Sequence, residues 1–504
     1  MTAVVENPYL TVVERNVHRV LSLFNLDHVG GSLGIADRRY WAWKTVDFPN
    51  ASMQGLGSGI ARFSRFQSSL PSSEKKRLDA IALQSITALK HLTSRSGGLA
   101  EAFPNEDSFC VTGQVLSDSL DTLQVLRGSI SESDSSQALE ALRPLAKFMS
   151  RAEERHAVIS NHLATSALAL VRWANLTGET EGLRQAANWI NRVRHYSSEE
   201  GWFLEYGGAD PGYQSWALSS LAQIHREAPT IDVDDLLAGG FRFLSAFVQS
   251  NGSFANGCGS RMTKFLFCAG AEILATSNDD AAAIASFARK NITDRAFVSL
   301  DAVDEPNITP FFNDLMLSAE LFSAKRTVDG HLKSFQSADF PLAGLYVRGE
   351  PSRTMVISSL RGGWFSVAQA DCATETSWEP VAKNSRGKFF IAGRADRVEF
   401  VANHVVLDVP MMSHHPIAQS PGKFLLLRVF VMSLGRVRVL RELLKWILAR
   451  ILIFQSGAVK GVARRTIDIE TGVVKDEIIQ GELTLVENTG VSPGHMASQG
   501  YWGR

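Results

Sequence analysis

The feature that most constrains the fold is a change of hydrophobic period near residue 330. From about 75 to 325, apolar residues recur every three or four positions, which predicts a long series of α-helices. Beyond about 330, β-branched and polar residues alternate between Gly, Asp, Asn and Ser, which predicts the antiparallel strands of a sandwich. The chain therefore predicts an α+β multidomain protein, with a helical domain first and a β-domain after it.

The helical part has the pattern of a toroid. Many of its helices are apolar on more than one face, as expected for helices with neighbours on both sides. Loops rich in glycine and aromatic residues separate them, and such loops gather at one end of a helical barrel. We predict an α/α toroid, as an incomplete barrel, over 76–328, preceded by a helical and aromatic segment over 1–75. The β-sandwich is predicted over 335–490.

Composition excludes several classes of function. The formal net charge of -1 over 504 residues does not suit a nucleic-acid binder. The four cysteines are far apart and fit no zinc spacing, and there is no nucleotide-binding or metalloprotease motif, so we expect no cofactor and no metal. The pair His414-His415 is interpreted as structural. The N-terminus does not have the pattern of a signal peptide, which favours the cytoplasm.

One segment interrupts the β pattern. Residues 421–456 are apolar and basic with a helical pattern, and ten Lys or Arg but one acid, Glu442, fall within 421–465. Such a helix suits the surface of an anionic bilayer, so peripheral contact with the inner face of the membrane is one interpretation. A helical insertion that packs its apolar side on the β-domain is the other.

The strongest local motif runs from Glu205 to Gln214. Three glycines and a proline hold Tyr206, Tyr213 and Asp210 on one short turn before a helix resumes. Tyrosine can donate or accept a proton, and carboxylates can act as bases or bind sugar hydroxyls. A capped turn with packed tyrosines is the structural alternative.

Other candidates lie in neighbouring loops. His162 follows the helix-capping residue Asn161 and suits a general base or donor. Arg261 on a glycine-rich turn suits an anionic group such as a uronate carboxylate. Four weaker candidates for substrate binding are Asn105, Glu106, Trp202 and Asn313. The aromatic and charged stretch 37–49 suits either sugar stacking or a buried ion-pair network.

With these residues in view, the chain resembles heparinase II/III-like proteins, in a subgroup linked to bacterial surface polysaccharides. The resemblance is carried by E-Y-G-G-A-D-P-G-Y at 205–213, G-S-R at 259–261, D-R-R-Y-W-A-W-K-T-V-D-F-P at 37–49 and F-P-L-A-G-L-Y-V-R at 340–348. It implies an α/α toroid followed by a β-sandwich, with an acidic polysaccharide or oligosaccharide held in the cleft.

The resemblance also implies roles. Asn161 and Arg261 would neutralise a uronate carboxylate, His162 would remove the C5 proton, and Tyr206 or Tyr213 would be the second acid or base. The reaction would be that of a lyase or a C5-epimerase. Secreted members carry signal peptides and some have a histidine metal cluster, and this chain shows neither pattern, which favours biosynthesis over degradation.

Two other functions stay open at this point. One is a non-catalytic glycan-binding or assembly protein that uses the aromatic cleft. The other is a glycoside hydrolase, because α/α toroids also hold paired carboxylates, here Glu106 and Asp210. The glycan, its linkage and the oligomeric state do not follow from the sequence.

Overall fold

We describe the fold from a computed structural model. It describes residues 6–29, 31–42, 46–155, 157–255, 257–294, 296–323, 337–370, 372–413, 420–452 and 457–487. The pair at 414–415 and residues 43–45 of the aromatic stretch lie outside the described residues.

The first two thirds of the described chain are helical. The helices are α1 (Pro8–Leu21), α2 (Arg38–Trp41), α3 (Gly57–Phe66), α4 (Ser72–Thr87), α5 (Leu89–Leu92), α6 (Phe109–Val125), α7 (Glu132–Met149), α8 (Ser160–Thr177), α9 (Leu183–His195), α10 (Pro211–Glu227), α11 (Asp234–Ser245), α12 (Ala269–Leu274), α13 (Asp279–Asn291) and α14 (Ile308–Leu321). Short 3-10 turns cover Ala51–Leu56 and Glu305–Asn307.

Six helices form an inner ring. Neighbours pack in the order α3, α6, α8, α10, α12 and α14, and α14 packs back on α3. Outside them, α4, α7, α9, α11, α13 and α1 each cover one inner helix. The predicted toroid is confirmed, although α1 and α3 come from the segment 1–75, so the ring begins earlier in the chain than residue 76.

The two layers differ in burial as their sequences require. Nearly every residue of α8 up to Ala174 is buried, because this helix has protein on all sides. Helix α9 buries only one stripe, formed by Ala186, Trp189, Ile190 and Val193. An outer helix faces water on its other side, so only one face needs to be apolar.

The β-domain contains two antiparallel sheets. Its strands are β1 (Ala338–Phe340), β2 (Leu345–Glu350), β3 (Arg353–Ser358), β4 (Trp364–Gln369), β5 (Glu375–Ser377), β6 (Val381–Lys383), β7 (Phe389–Ala392), β8 (Arg397–Val401), β9 (His404–Ser413), β10 (Val459–Asp468), β11 (Val474–Gln480) and β12 (Thr484–Val486). The first sheet has the order β1-β2-β3-β4-β5, with Val356 opposite Val347 and Ser366. The second has the order β11-β10-β9-β7-β6-β12, and β8 also pairs with β9.

The first sheet is buried on both faces. Val347, Val356 and Trp364 belong to the core of the helical domain, whereas the alternate residues Met355 and Ile357 pack in the core between the two sheets. Side chains of a strand alternate between faces, so a strand with two apolar neighbours has to be apolar throughout. This explains the uninterrupted apolar run in β3.

Hydrogen bonds from the β-domain hold the loop at 257–263. The Ser358 hydroxyl donates to the Cys258 carbonyl oxygen at 2.8 Å. Arg361 donates to the Gly257 carbonyl oxygen while it pairs with Glu379 at 2.9 Å. The β-domain therefore helps to set the backbone of a loop that belongs to the toroid.

The basic insertion is a pair of helices, α15 (Pro421–Met432) and α16 (Arg438–Leu452), which we call the hairpin. It packs on loops of the toroid rather than on the β-domain, the packing partner expected from the sequence. Val431 is buried and its carbonyl oxygen accepts from Asn105 at 3.5 Å, and Arg441 pairs with Asp107 at 2.5 Å. No helix in the described ranges is long and apolar enough to cross a bilayer.

Two mid-helix glycines should respond oppositely to Gly→Ala substitution. A Cβ at Gly113 in α6 would overlap the Ser166 side chain of α8, whereas a Cβ at Gly239 in α11 would meet nothing closer than the Gly201 Cα at 3.5 Å. We expect G113A to lower the free energy of unfolding by about 1–3 kcal/mol through overpacking. The matched variant G239A should be neutral or stabilising by up to about 1 kcal/mol. Urea denaturation measures both, and equal effects would contradict the close contact of α6 with α8.

Candidate functional site

Three loops are joined by backbone hydrogen bonds at one end of the toroid. The Tyr206 N–H donates to the Val158 carbonyl oxygen at 3.1 Å, just before α8 begins. The Ser260 N–H donates to the Ala209 carbonyl oxygen at 2.8 Å, just before α10. The segments before α8, before α10 and at 257–263 therefore form one continuous surface, and their side chains meet there.

Arg261 and Tyr206 lie at the centre of this surface. The Arg261 guanidinium is 4.7 Å from the centroid of the Tyr206 ring. Tyr206 has a left-handed backbone with φ of 59°, which is rare for a residue with a side chain and turns the ring out of the loop. Burial raises the pKa of Tyr206 well above its usual value, and the charges of His162 and Arg261 act in the opposite direction.

Arg261 differs from the other buried arginines. Arg62, Arg172 and Arg465 each pair with a carboxylate. Arg261 is only 6% exposed, yet among the described residues its Nε has no hydrogen-bond partner, and no carboxylate pairs with its guanidinium. Its contact with Asp210 is through the backbone N–H, at 2.9 Å. A buried guanidinium in this state is suited to pairing with an anion.

His162 is held between an acid and a thiol. Its Nδ1 lies 2.8 Å from Glu154 Oε1, and its ring hydrogen-bonds to the Cys110 side chain. Burial opposes a charge on the imidazole, but Cys110 and Glu154 favour it and leave the pKa of His162 well above its usual value. Burial raises the pKa of the Cys110 thiol, and the charge of His162 opposes that rise.

This charge state bears on the role that the resemblance implies for His162. The raised pKa favours the protonated form of His162, which places a positive charge next to Tyr206. The role of His162 as the base that removes the C5 proton stays a prediction.

Asn161 and Glu205 support the site from below. The Asn161 backbone N–H and its Nδ2 both donate to the Glu205 carboxylate, each at 2.9 Å. Both residues are buried, and burial raises the pKa of Glu205 to about 8. The pair links the start of α8 to the 205–213 loop, and Asn161 has almost no surface with which to touch a ligand.

The other polar residues of the 202–214 segment fix its shape. Asp210 is fully buried and accepts from the Tyr213 N–H at 3.1 Å and from Thr263. Gln214 is fully buried and donates to the carbonyl oxygens of Gly201 and Gly240. Trp202 donates to Glu200, whose carboxylate binds backbone N–H groups at the start of the β-domain. These residues position the loop without facing the cleft.

Tyr213 does face the site. Its ring stacks on Trp216 and meets Phe265 edge-on, and its charge acts on Tyr206. Partial burial leaves one side of the ring accessible. The structure thus brings together His162, Tyr206, Tyr213 and Arg261.

Three of the weaker candidates lie elsewhere. Glu106 accepts from the backbone N–H groups of Glu101 and Ala102 at 2.8 and 2.7 Å, so it shapes its own loop. Asn105 lies against the hairpin, away from Arg261, and lines the large cleft described below. Asn313 is in the barrel interior, where it donates to the Gly55 carbonyl oxygen beside a cavity of about 50 Å³, room for water but not for a sugar.

A large cleft of about 1060 Å³ adjoins the site. It lies between the hairpin and the edge of the toroid, and Glu154 is in its wall. Eight of its lining residues are cationic and five are acidic. The cations are Arg95, Arg143, Lys147, Arg151, Arg436, Arg438, Arg441 and Lys445.

Sequence analysis missed Glu154 and Cys110. Glu154 precedes α8 in the run Arg-Ala-Glu-Glu-Arg, which has the composition of a solvated loop, and Cys110 is the second residue of α6. Glu154 reaches His162 through the fold of the loop before α8, and Cys110 reaches it through the packing of α6 beside α8, so no spacing in the sequence indicated them. Among the described residues, no group of His, Cys, Asp and Glu is arranged to hold a metal.

Comparisons with known proteins were made at this point. No family model matches the chain, and no curated protein matches it. Among solved structures, Paenibacillus xanthan lyase is 10% identical with a TM-score of 0.49 and covers 82% of this chain, which spans 46% of that protein. Streptomyces coelicolor chondroitin AC lyase is 12% identical with a TM-score of 0.47, over 82% of this chain and 67% of that one. An unsaturated glucuronyl hydrolase from Streptococcus agalactiae is 12% identical with a TM-score of 0.36, over 68% and 84%.

The proton on His162 should depend on Glu154. In E154Q, the negative charge is gone and burial remains, so we expect the pKa of His162 to fall below its ordinary value of about 6.5. NMR titration of the imidazole measures this, and E153Q, a change at the exposed neighbour, is the control. In the wild type, the ion pair between Glu154 and His162 contributes its full stabilisation below about pH 6.5. This stabilisation is lost as pH rises through the raised pKa of His162. An unchanged pKa in E154Q would contradict this assignment.

Proposed function

We propose that the protein modifies an acidic glycan by removing the proton at C5 of a uronate, as a lyase or as a C5-epimerase. The observation that carries this proposal is the buried Arg261 guanidinium, which lies beside Tyr206 and pairs with no carboxylate among the described residues. A carboxylate of the substrate would supply the missing counter-charge.

Two cations at one carboxylate address the main barrier of this chemistry. The C5 proton of a uronate is hard to remove because the resulting carbanion is unstable. When the charge spreads onto the carboxylate as an enediolate, Arg261 and the imidazolium of His162 stabilise it. Both groups are held in place before the reaction, by the loop at 257–263 and by Glu154.

The tyrosines are the groups left to carry protons. One tyrosine, in its phenolate form, takes the C5 proton and leaves an electron pair on the sugar; for Tyr206, the charges of His162 and Arg261 favour that form. In elimination, that pair forms the C4–C5 double bond, the C4–O4 bond breaks, and O4 takes a proton from the other tyrosine. In epimerisation, C5 is reprotonated from the opposite face and no bond of the chain breaks. Tyr206 and Tyr213 are close enough to act on each other's charge.

The cationic cleft beside the site suits the rest of the substrate polysaccharide. Its excess of positive charge favours a polyanion, and its position between the hairpin and the toroid leaves a groove leading to Glu154 and His162. We propose that sugars flanking the reacting uronate lie there. A role in surface polysaccharide biosynthesis at the cytoplasmic face of the membrane is the biological context that the sequence resemblance favours.

The two carboxylates that the hydrolase alternative requires are not placed for catalysis. Glu106 and Asp210 are both buried, and their oxygens accept hydrogen bonds from backbone N–H groups. A general acid and a base have to reach the glycosidic oxygen and a water, and neither carboxylate does so.

Turnover of uronate polysaccharides tests the proposal. We expect the wild type to generate the ultraviolet absorbance of an unsaturated uronate, or to take up solvent deuterium at C5 without chain cleavage. Because Tyr206 would move a proton in the transition state, Y206F should lower kcat by about 10²–10⁴. R261Q should raise KM as well, because it removes a contact made in both ground and transition states.

The matched control is Y196F, which removes the hydroxyl of an exposed tyrosine on the far side of α9 and should leave both constants unchanged. New reducing ends without ultraviolet absorbance would identify a hydrolase instead. Glycan binding without turnover, retained when Tyr206, Tyr213 and His162 are replaced together, would identify a binding protein.

A further inference from the structure

We propose that the hairpin docks on the surface of an anionic lipid bilayer. Its two helices leave a row of large apolar side chains in water, which we call the exposed stripe. The stripe comprises Phe424, Leu425, Leu426, Val429, Met432, Leu434, Val437, Val439, Leu443, Trp446 and Ile447.

The stripe is continuous along the hairpin. On α15 the spacing of Leu425, Val429 and Met432 is that of one helix face, and on α16 Val439 and Leu443 repeat it. Leu426 is 72% exposed and Val439 is 74% exposed. Single exposed apolar residues are ordinary on a protein surface, but a row on consecutive helices marks a contact surface.

The opposite side of the hairpin is held on the toroid. Arg441 pairs with Asp107, and Lys445 donates to the Asp107 carbonyl oxygen at 3.2 Å. At the other helix, Arg428 pairs with Asp47 at 3.1 Å and stacks on Phe48. Through these contacts, the cations of the two helices face the protein, and the apolar residues face outward.

The positive charge of the hairpin indicates which partner binds the exposed stripe. Residues 421–452 contain seven Lys or Arg and one acid, Glu442. Arg436 and Arg438 are exposed in the middle of the stripe, where the two helices join, and Arg450 is exposed beyond its last residue. A second copy of the chain would bring the same cations face to face, because a two-fold contact pairs identical surfaces. An anionic bilayer instead offers phosphate groups to the arginines and acyl chains to the stripe.

Docking in this way would place the cationic cleft at the lipid surface. Arg436, Arg438 and Lys445 line that cleft from the hairpin side. The inference concerns the hairpin alone and does not need the proposed reaction at Arg261 and Tyr206.

Vesicle flotation of the full chain tests the proposal. We expect binding to vesicles of phosphatidylglycerol and phosphatidylcholine, at least tenfold weaker binding to phosphatidylcholine alone, and a loss of affinity as salt is raised. Removal of two cations in R436Q/R438Q should weaken binding by about fivefold per charge. The variant L426E/V439E should lose binding at least tenfold, because it puts charges in the acyl region.

Matched controls keep the test independent of folding. V459E/V473E introduces the same charges at exposed valines of the β-domain and should leave vesicle binding unchanged. Circular dichroism and thermal unfolding of L426E/V439E should match the wild type, because both side chains are in water. Equal vesicle binding by L426E/V439E and wild type would overturn the proposal. So would a dimer in sedimentation that the same variant dissociates, because the stripe would then face a second copy.

Discussion

The candidate site depends on one fully buried carboxylate, Asp210. Its oxygens accept from the backbone N–H groups of Tyr213 and Arg261 and from Thr263, so it caps α10 and fastens the loop at 257–263 in a single contact. Burial raises the pKa of Asp210, and these hydrogen bonds offset part of the rise. This link acts together with the hydrogen bond of Ser260 to Ala209 and with those that Ser358 and Arg361 make to the loop at 257–263, and they jointly hold the Arg261 guanidinium over the Tyr206 ring. Asp210, which has no exposed surface, thus helps to set the relative positions of Arg261 and Tyr206.

An excess of positive charge is common to the candidate site, the adjacent cleft and the hairpin. In the site, Glu154 favours the protonated form of His162, and no carboxylate among the described residues pairs with the Arg261 guanidinium. The cleft next to it has more cations than acids, and the hairpin that forms its outer wall is basic as well. Like charges kept this close cost stability in the free protein. That cost is offset when an anionic ligand binds, which is why we assign the arrangement to binding rather than to packing.

The β-domain and the hairpin act on the same end of the toroid from different sides. Ser358 and Arg361 fix carbonyl groups of the loop that carries Arg261, while Arg441 and Lys445 fix Asp107 before α6. The first contact is made by a sheet buried on both faces, so it is rigid. The second contact is made by the hairpin, which buries few of its side chains. The position of the hairpin therefore depends on its ion pairs and on the partner that covers its outer face.

Periodicity was enough to establish the helical domain, the β-domain and the hairpin, because hydrophobic spacing follows from which faces must be buried. Composition also indicated Tyr206, Tyr213, His162 and Arg261, since aromatic and charged residues stood on glycine-rich turns. Only the tertiary structure decided that Asp210, Glu205 and Gln214 from the same motif turn inward, because a polar residue in a turn can cap the backbone or face a ligand with the same local sequence. The raised pKa of His162 also could not be predicted from the sequence, because Glu154 reaches the imidazole through the fold of the loop before α8 and Cys110 reaches it through the packing of α6 against α8. Electrostatic interactions depend on distance in space rather than along the chain.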